Sequence, residues 1–278
     1  MNGSVLSGNL DFCVLIPCFN NLQGLIVSLK SIYYPTLNFL VVVVDDGSVE
    51  PLDENYVSKI TSKPVRVIRM QQNVGITQAL NAGLTWIVEN VKTNYIARLD
   101  CDDICSKERF VKQISFLKTH SQISLLGSWC SFEDSKTGKH YLYKSPALHT
   151  SIVKDMYSRN SFIHPTVIIN VAVLDKTGFY PANYEYAEDY ALFWKICTIS
   201  QVHILPESLV NCLLNRKGIS YKNKNKQLYA RLKVVRKLAP NSLYKLFGLV
   251  KLFFLLLLPK KIILQLKLFM HNDATVVK

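Results

Sequence analysis

No lysine or arginine precedes Lys30, and the first apolar run, residues 12–16, stops at Pro17. A secretory signal, in which a positive segment leads into an apolar one, is therefore not expected. The C-terminal region also lacks a long apolar run. Its uninterrupted stretch, residues 252–258, is closed by Pro259, far short of the roughly 18 to 20 residues that cross a bilayer. The seven cysteines are odd in number and fall at no zinc-ribbon spacing, which argues against a disulfide framework and for a reduced compartment, the cytosol. No internal repeat is present, and no Ser-His-Asp or Cys-His arrangement suggests covalent catalysis.

Acidic residues are almost absent from the end of the chain. Residues 1–215 carry 18 basic and 19 acidic side chains, whereas residues 216–278 carry 15 basic side chains and only Asp273. The net charge of +13 thus belongs to the tail. Aromatic residues are not interleaved with these charges as a single-strand nucleic-acid surface requires, and the tail is rich in Leu, so a lipid surface is the expected partner and nucleic acid is not. A basic helix with an apolar face lies at the headgroup boundary, where each Lys or Arg contributes about 1 kcal/mol on an anionic leaflet. The expected location is cytoplasmic, peripheral on the inner face of the membrane.

With 278 residues, 49% of them hydrophobic, the chain can bury a large core. Residues 12–16 and 39–44 are continuous apolar runs of the kind that form buried parallel strands, and residues 22–34 between them carry apolar side chains at helical spacing. The pattern repeats with a strand at 65–70, a helix from about Thr77 and a strand at 95–99. Further on, a helix is predicted over 106–119, strands over 123–131 and around 162–170, a helix over 188–199, a basic linker or flap at 216–227, and helical segments at 228–238 and 243–270. The expected fold class is α/β, a Rossmann-like, mostly parallel sheet flanked by helices, spanning residues 1–220, with a basic amphipathic helical extension at 221–278.

Two of the predicted strands end in acidic clusters, Asp45-Asp46-Gly47-Ser48 and Asp100-Cys101-Asp102-Asp103. Asp-Gly and Asp-Asp are also ordinary turn chemistry. Their joint occurrence at the carboxyl ends of parallel strands, where open sheets bind ligands, points to a cleft in which several carboxylates would repel one another without a cation. Mg²⁺ or Mn²⁺ takes hard oxygen ligands and bridges to substrate phosphates, so the pattern points to a phosphate-bearing ligand.

Pro17-x-Phe19-Asn20, Val44-Asp45-Asp46-Gly47-Ser48, Asn73-x-Gly75 with Asn81-x-Gly83, Asp100-x-Asp102-Asp103 and the late Glu188-Asp189 resemble, in order and spacing, the family 2 inverting glycosyltransferases of GT-A fold, of the bacterial surface-polysaccharide type. The resemblance covers roughly residues 12–220. It implies a nucleotide-sugar donor, UDP-linked by default, a metal ion (Mn²⁺ or Mg²⁺), and a lipid-linked or glycan acceptor. Pro17, Phe19, Asn20, Asn73, Gly75 and Asn81 fall in the donor-binding motifs. Asp46, with Asp45 beside it, is implied to read base and ribose, Asp100 to meet ribose or sugar hydroxyls, and Asp102 to hold the metal. Asp189 is the implied general base, taking the proton of the acceptor hydroxyl as it attacks the anomeric carbon.

Other residues have two readings each. Glu188 and Asp189 also suit the first turn of a helix, and Asp103 assists the metal through water or caps the following helix. Arg216 and Ser220 either close over the diphosphate or belong to a solvated linker. His164 lies on the acceptor side or is structural. The tyrosines between Tyr180 and Tyr190 stack on a sugar or fill the core, and Cys101 with Cys105 reads as small-residue packing rather than a soft-metal site. The alternative to an enzyme is a non-catalytic nucleotide-binding membrane adaptor of the same fold; the filled acidic positions argue against it.

Overall fold

The computed structural model describes residues 9–134, 138, 140–214 and 223–257. Among them nine strands form one sheet in the order β3-β2-β1-β4-β8-β6-β9-β5, with β7 beside β6. The first half is built from β1 (Phe12–Cys18), α1 (Leu22–Ser31), β2 (Phe39–Asp45), α2 (Glu54–Thr61), β3 (Val65–Arg69), α3 (Ile76–Asn90) and β4 (Tyr95–Arg98). The strands of this half are parallel, with Leu15 paired to Val42 on one side and to Arg98 on the other.

The apolar runs are continuous because both faces of the sheet are covered. Cys13, Leu15, Val42 and Val44 point into one core with Leu80, Leu84 and Ile87 of α3, while Phe12, Val14, Ile16, Val41 and Val43 point into a second with Leu25 and Leu29 of α1. Gly83 permits the close approach of α3, since a Cβ there would lie 2.3 Å from Leu15 Cδ1.

The second half adds β5 (Ile104–Cys105), α4 (Arg109–Thr119), β6 (Ile123–Asp134), β7 (His140–Tyr143), α5 (His149–Met156), β8 (Ile168–Asn170), α6 (Leu174–Thr177), α7 (Glu188–Ile199) and β9 (Gln201–Leu214). Here β8 runs antiparallel to both β4 and β6, and β9 parallel to β6. The helix predicted over 106–119 starts only at Arg109. The strand predicted around 162–170 is confined to its last three residues, because Pro165, which lacks an N–H and has a fixed φ, sits in a short 3-10 turn at His164–Thr166 instead.

After the undescribed residues 215–222 come α8 (Lys224–Leu238) and α9 (Leu243–Leu257). The basic linker predicted to reach residue 227 therefore gives way to helix at Lys224. Leu228, Val234 and Val235 of α8 are buried in the same core as α3 and α7. Helix α9 touches the body through Gly248, where a Cβ would lie 2.1 Å from the Tyr157 carbonyl oxygen, and through Leu252, which is buried. Its other side exposes Leu243, Leu246, Phe247, Phe253, Phe254 and Leu257. Among the described residues no helix is long and apolar enough to cross a membrane.

Candidate active site

The connections leaving β1 run outward through β2 to β3, and the chain then returns through α3 to β4 on the other side of β1. Strand order reverses at β1, and loops diverging from the carboxyl ends of β1, β2 and β4 open a crevice there. The loops after β1 and β2 are stitched together, with the Asn20 amide donating to Ser48 Oγ at 2.8 Å and Asn20 Oδ1 accepting from the Val49 amide at 2.8 Å. Phe19 stays exposed beside them.

Asp45 and Asp46 face different ways. Asp45 is fully buried, and its carboxylate accepts from the Ser48 and Leu52 amides at 2.9 and 3.2 Å and from the Arg69 guanidinium. Burial alone would raise its pKa, but these bonds outweigh burial and hold the carboxyl below its usual range. Asp46 accepts from the Val74 and Gly75 amides at 2.8 and 3.0 Å, which fixes the loop carrying Asn73 at the start of α3. Gly75, at φ +86°, adopts a backbone that residues with a Cβ rarely take.

At the end of β4, Arg98 is buried and ion-pairs with Asp100 at 2.5 Å. Asp102 has φ +76°, a strained value for a non-glycine residue. It is held there by Asn21 of the β1 loop, whose Nδ2 donates to Asp102 Oδ2 at 2.8 Å while its Oδ1 caps α1 through the Gly24 amide at 3.0 Å. Gly24 makes this possible, since a Cβ on it would lie 2.2 Å from Asp102 Oδ1. Among the described residues no three metal-ligating side chains converge. Mg²⁺ or Mn²⁺ bound through one or two carboxylates and substrate phosphates needs no such cage, and the half-exposed Asp102, a hard oxygen donor aimed at the crevice loops, fits that role.

Asp103 does not cap the following helix. That helix begins at Arg109 after Glu108, without a side-chain cap, and Asp103 Oδ1 instead accepts from the Leu213 amide of β9 at 3.2 Å. Burial, with the charge of Asp100, pushes its carboxyl up to about 8. Cys101 and Cys105 are apart in function: the Cys101 thiol donates to the Pro17 carbonyl at 3.4 Å, whereas the Cys105 sulfur accepts from Arg109 Nη1 at 3.2 Å.

Across the crevice, Glu188 and Asp189 open α7. Asp189 accepts from Asn160 Nδ2 at 2.9 Å and from the Tyr190 amide at 2.7 Å. Burial raises its pKa; the Tyr190 amide and the Arg231 charge oppose the rise, and Asp100 adds to it. Glu188 is pushed to about 7 by burial and by Asp189, and its Oε2 is buried without a hydrogen-bond partner among the described residues. The charges of Asp189, Asp100 and Glu188 all act on the buried Tyr180 phenol, which they and burial hold above its usual range. That phenol bonds to His164 Nε2 at 2.9 Å, and His164 is held well below the usual imidazole range by burial and by Arg98. Asn81 clamps the Tyr180 backbone through its side-chain amide, at 2.8 and 3.0 Å.

The structure thus brings Asp100, Asp189, Glu188 and His164 around Tyr180, and joins Asn20, Asp45, Asp46 and Gly75 in a neighbouring loop scaffold. Pro17 meets the site through its carbonyl, and Asn73 is exposed on the loop that Asp46 fixes. Arg216 and Ser220 lie outside the described residues. Tyr180, Tyr184 and Tyr190 are core aromatics, and Tyr186, at φ +68°, is the half-exposed one. Asn21, Gly24 and Asn160 also hold the site and belong to none of the motifs named above. Only Gly24 left a signal, as an isolated glycine in a helical pattern, which marks a close approach.

A family model described as "Glycosyl transferase family 2" matches residues 13–178. The chain is 33% identical over 237 residues to the "Amylovoran biosynthesis glycosyltransferase AmsE" of Erwinia amylovora, covering 81% of this chain and 86% of that one. It is 29% identical to the "UDP-Gal:alpha-D-GlcNAc-diphosphoundecaprenol beta-1,3-galactosyltransferase" of Escherichia coli, over 66% of each chain. The structure of S. aureus TarS 1-349 in complex with UDP superposes with a TM-score of 0.60 at 19% identity, over 87% of this chain and 70% of that one, a likeness of fold.

Proposed function

The chain belongs to glycosyl transferase family 2, and we propose that this glycosyltransferase moves one sugar, with inversion, from a UDP-linked donor to a hydroxyl of a lipid-linked or surface-glycan acceptor. The observation that carries this reading is the state of Asp189. Its carboxyl sits at the start of a helix, oriented by Asn160, and burial lifts its pKa toward the working range of a general base.

In this reading the scaffold fixed by Asp45, Asp46 and Asn20 receives the nucleotide, and Asp100 meets donor hydroxyls. Asp102 holds Mn²⁺ or Mg²⁺, which when bound neutralises charge on the departing diphosphate. Asp189 takes the proton of the attacking hydroxyl from the side opposite the leaving group, so a single displacement inverts the anomeric centre. The E. coli relative's named substrates support a uridine donor and a lipid diphosphate acceptor. The exposed apolar side of α9 and the basic residues after 215 support a seat on the inner face of the cytoplasmic membrane, with residues 1–220 as the catalytic unit and the extension after 220 as its membrane contact, α8 forming the joint.

The test is a pair of variants. Asp102→Asn is expected to abolish metal-dependent stabilisation by UDP-sugars in a thermal-shift assay, and Asp189→Asn to keep that stabilisation and lose transfer. Normal transfer by Asp189→Asn would remove the base assignment.

A further inference from the structure

Strand β4 lies between β1 and β8 and is buried along its whole length, yet its last residue is Arg98. An arginine is almost never fully buried unless it is paired, because withdrawing an unpaired charge from water is costly. The Arg98 side chain is 3% exposed, too deep to meet a ligand in the crevice itself. Its Nη1 donates to the Leu15 carbonyl of β1 at 2.9 Å and to the Leu99 carbonyl, and its Nη2 stands 2.5 Å from Asp100 Oδ1. A neutral amide could serve the two carbonyls; the contact with Asp100 is the one that calls for a charge.

Asp100 is held from several directions. Ser28 Oγ and the Asp103 amide donate to its backbone carbonyl at 3.0 and 3.3 Å. Its Oδ1 is buried and, apart from Arg98, has no polar partner among the described residues. The side chain as a whole is 43% exposed, so its accessible part is the remainder that carries Oδ2, at the carboxyl end of β4 where the crevice opens. The terminal torsion of a free aspartate is broad and roughly two-fold. A planar guanidinium that bonds fixed carbonyls with one nitrogen and faces the carboxylate with another removes that freedom.

We propose that Arg98 is a positioning residue for the donor: it draws one oxygen of Asp100 inward and leaves the other to accept from a hydroxyl of the nucleotide-sugar. The inference rests on the reading of Asp100 as a donor contact. Asp100 is then set before the donor arrives, and a contact ordered in advance raises affinity by cutting the ordering cost of binding. Through the Leu15 carbonyl the same side chain ties β4 to β1, so the loop carrying Phe19 and Asn20 and the loop carrying Asp100 and Asp102 leave one braced pair of strand ends.

The test is a double-mutant cycle on the full chain, with Arg98→Gln, Asp100→Asn and the double variant. Binding of UDP, UDP-galactose, UDP-glucose and UDP-GlcNAc is read by calorimetry in the presence of Mn²⁺, and Tm is recorded for each variant. Asp100→Asn is expected to weaken at least one of these probes about tenfold. Arg98→Gln is expected to weaken the same probe by a similar factor, and the double variant to bind it no more weakly than Asp100→Asn alone. Where Arg98→Gln or Asp100→Asn does not fold, Arg98→Lys and Asp100→Glu take their places with the same expectation, since a lysine point charge cannot hold Asp100 and the Leu15 carbonyl together. A loss in the Arg98 variant that recurs in full on the Asp100 background overturns the inference alone, because Arg98 then supports the strands and not the carboxylate. An Arg98 variant with a lower Tm and native affinity for every probe overturns it in the same way. Native affinity of the Asp100 variant for every probe, or a native chain that binds none of them, removes the donor reading of Asp100 and the inference with it.

Discussion

The carboxylates on the two sides of the crevice are the same chemical group in opposite states. On the β1–β2 side, Asp45 and Asp46 are buried yet saturated with backbone N–H donors, and Asp45 is held below its usual range. On the α7 side, Glu188 is buried with its Oε2 unpartnered among the described residues, Asp189 accepts from Asn160 and the Tyr190 amide, and both are raised. A carboxylate bound by backbone N–H groups is a fastener: it fixes loops. A carboxyl whose proton affinity is raised by burial is the one suited to move a proton. The carboxyls of this cleft are therefore of two kinds: Asp45 and Asp46 bind the loops after β2 and before α3, whereas Glu188 and Asp189 have their proton affinity raised by burial.

The largest expected break of this contrast is Asp189→Asn, which should cut transfer by about 10² to 10⁴-fold while donor binding, read by calorimetry with UDP, stays unchanged. Gly24→Ala should act on the other side without touching a charge. Its Cβ would push into Asp102 Oδ1, and a displacement of this size is expected to cost roughly a hundredfold in transfer, with circular dichroism unchanged. Asp45→Ala strands the Ser48 and Leu52 amides and should cost about 1 to 3 kcal/mol of stability, measured as a lower urea midpoint. Glu188→Gln sharpens the contrast through pH. The Glu188 carboxyl is raised to about 7, so its contribution to stability is present below its unfolded value and is lost as pH rises through about 7. The Gln variant should therefore gain Tm relative to the native chain at pH above 7 and not at pH 4. Smallest in its effect on transfer to a water-soluble acceptor is Phe247→Glu with Phe254→Glu, which should instead reduce co-sedimentation with anionic vesicles.

The first half of the fold was legible because its strands are buried on both faces and written as unbroken apolar runs ending in Asp. Helix α7 was readable from its acidic start and its apolar body, and its predicted bounds of 188–199 match the observed helix. Strand β9 was hidden because Pro206 interrupts its pattern; in the structure Leu205 pairs with Ser128 and Ser208 with Trp129, so Pro206 sits in an irregular step where no ladder N–H is required. The site was legible as a set of acids but not as a set of roles. That Asp46 binds a loop, that Asn21 holds Asp102, and that Asn160 orients Asp189 depend on contacts between residues 28, 81 and 29 positions apart, which no local pattern records. The basic segment from residue 224 reads as the end of a linker followed by a membrane-facing basic helix, because its charges mask the stripe of Leu228, Val234 and Val235 that packs into the core.

The most direct test of the division is to compare Asp46→Asn and Asp189→Asn side by side, measuring UDP affinity by calorimetry and sugar transfer by UDP release on the same preparations. The account predicts a crossed result, with Asp46→Asn losing UDP affinity and Asp189→Asn keeping it while losing transfer. Equal loss of affinity in both variants, or native transfer by Asp189→Asn, would contradict it.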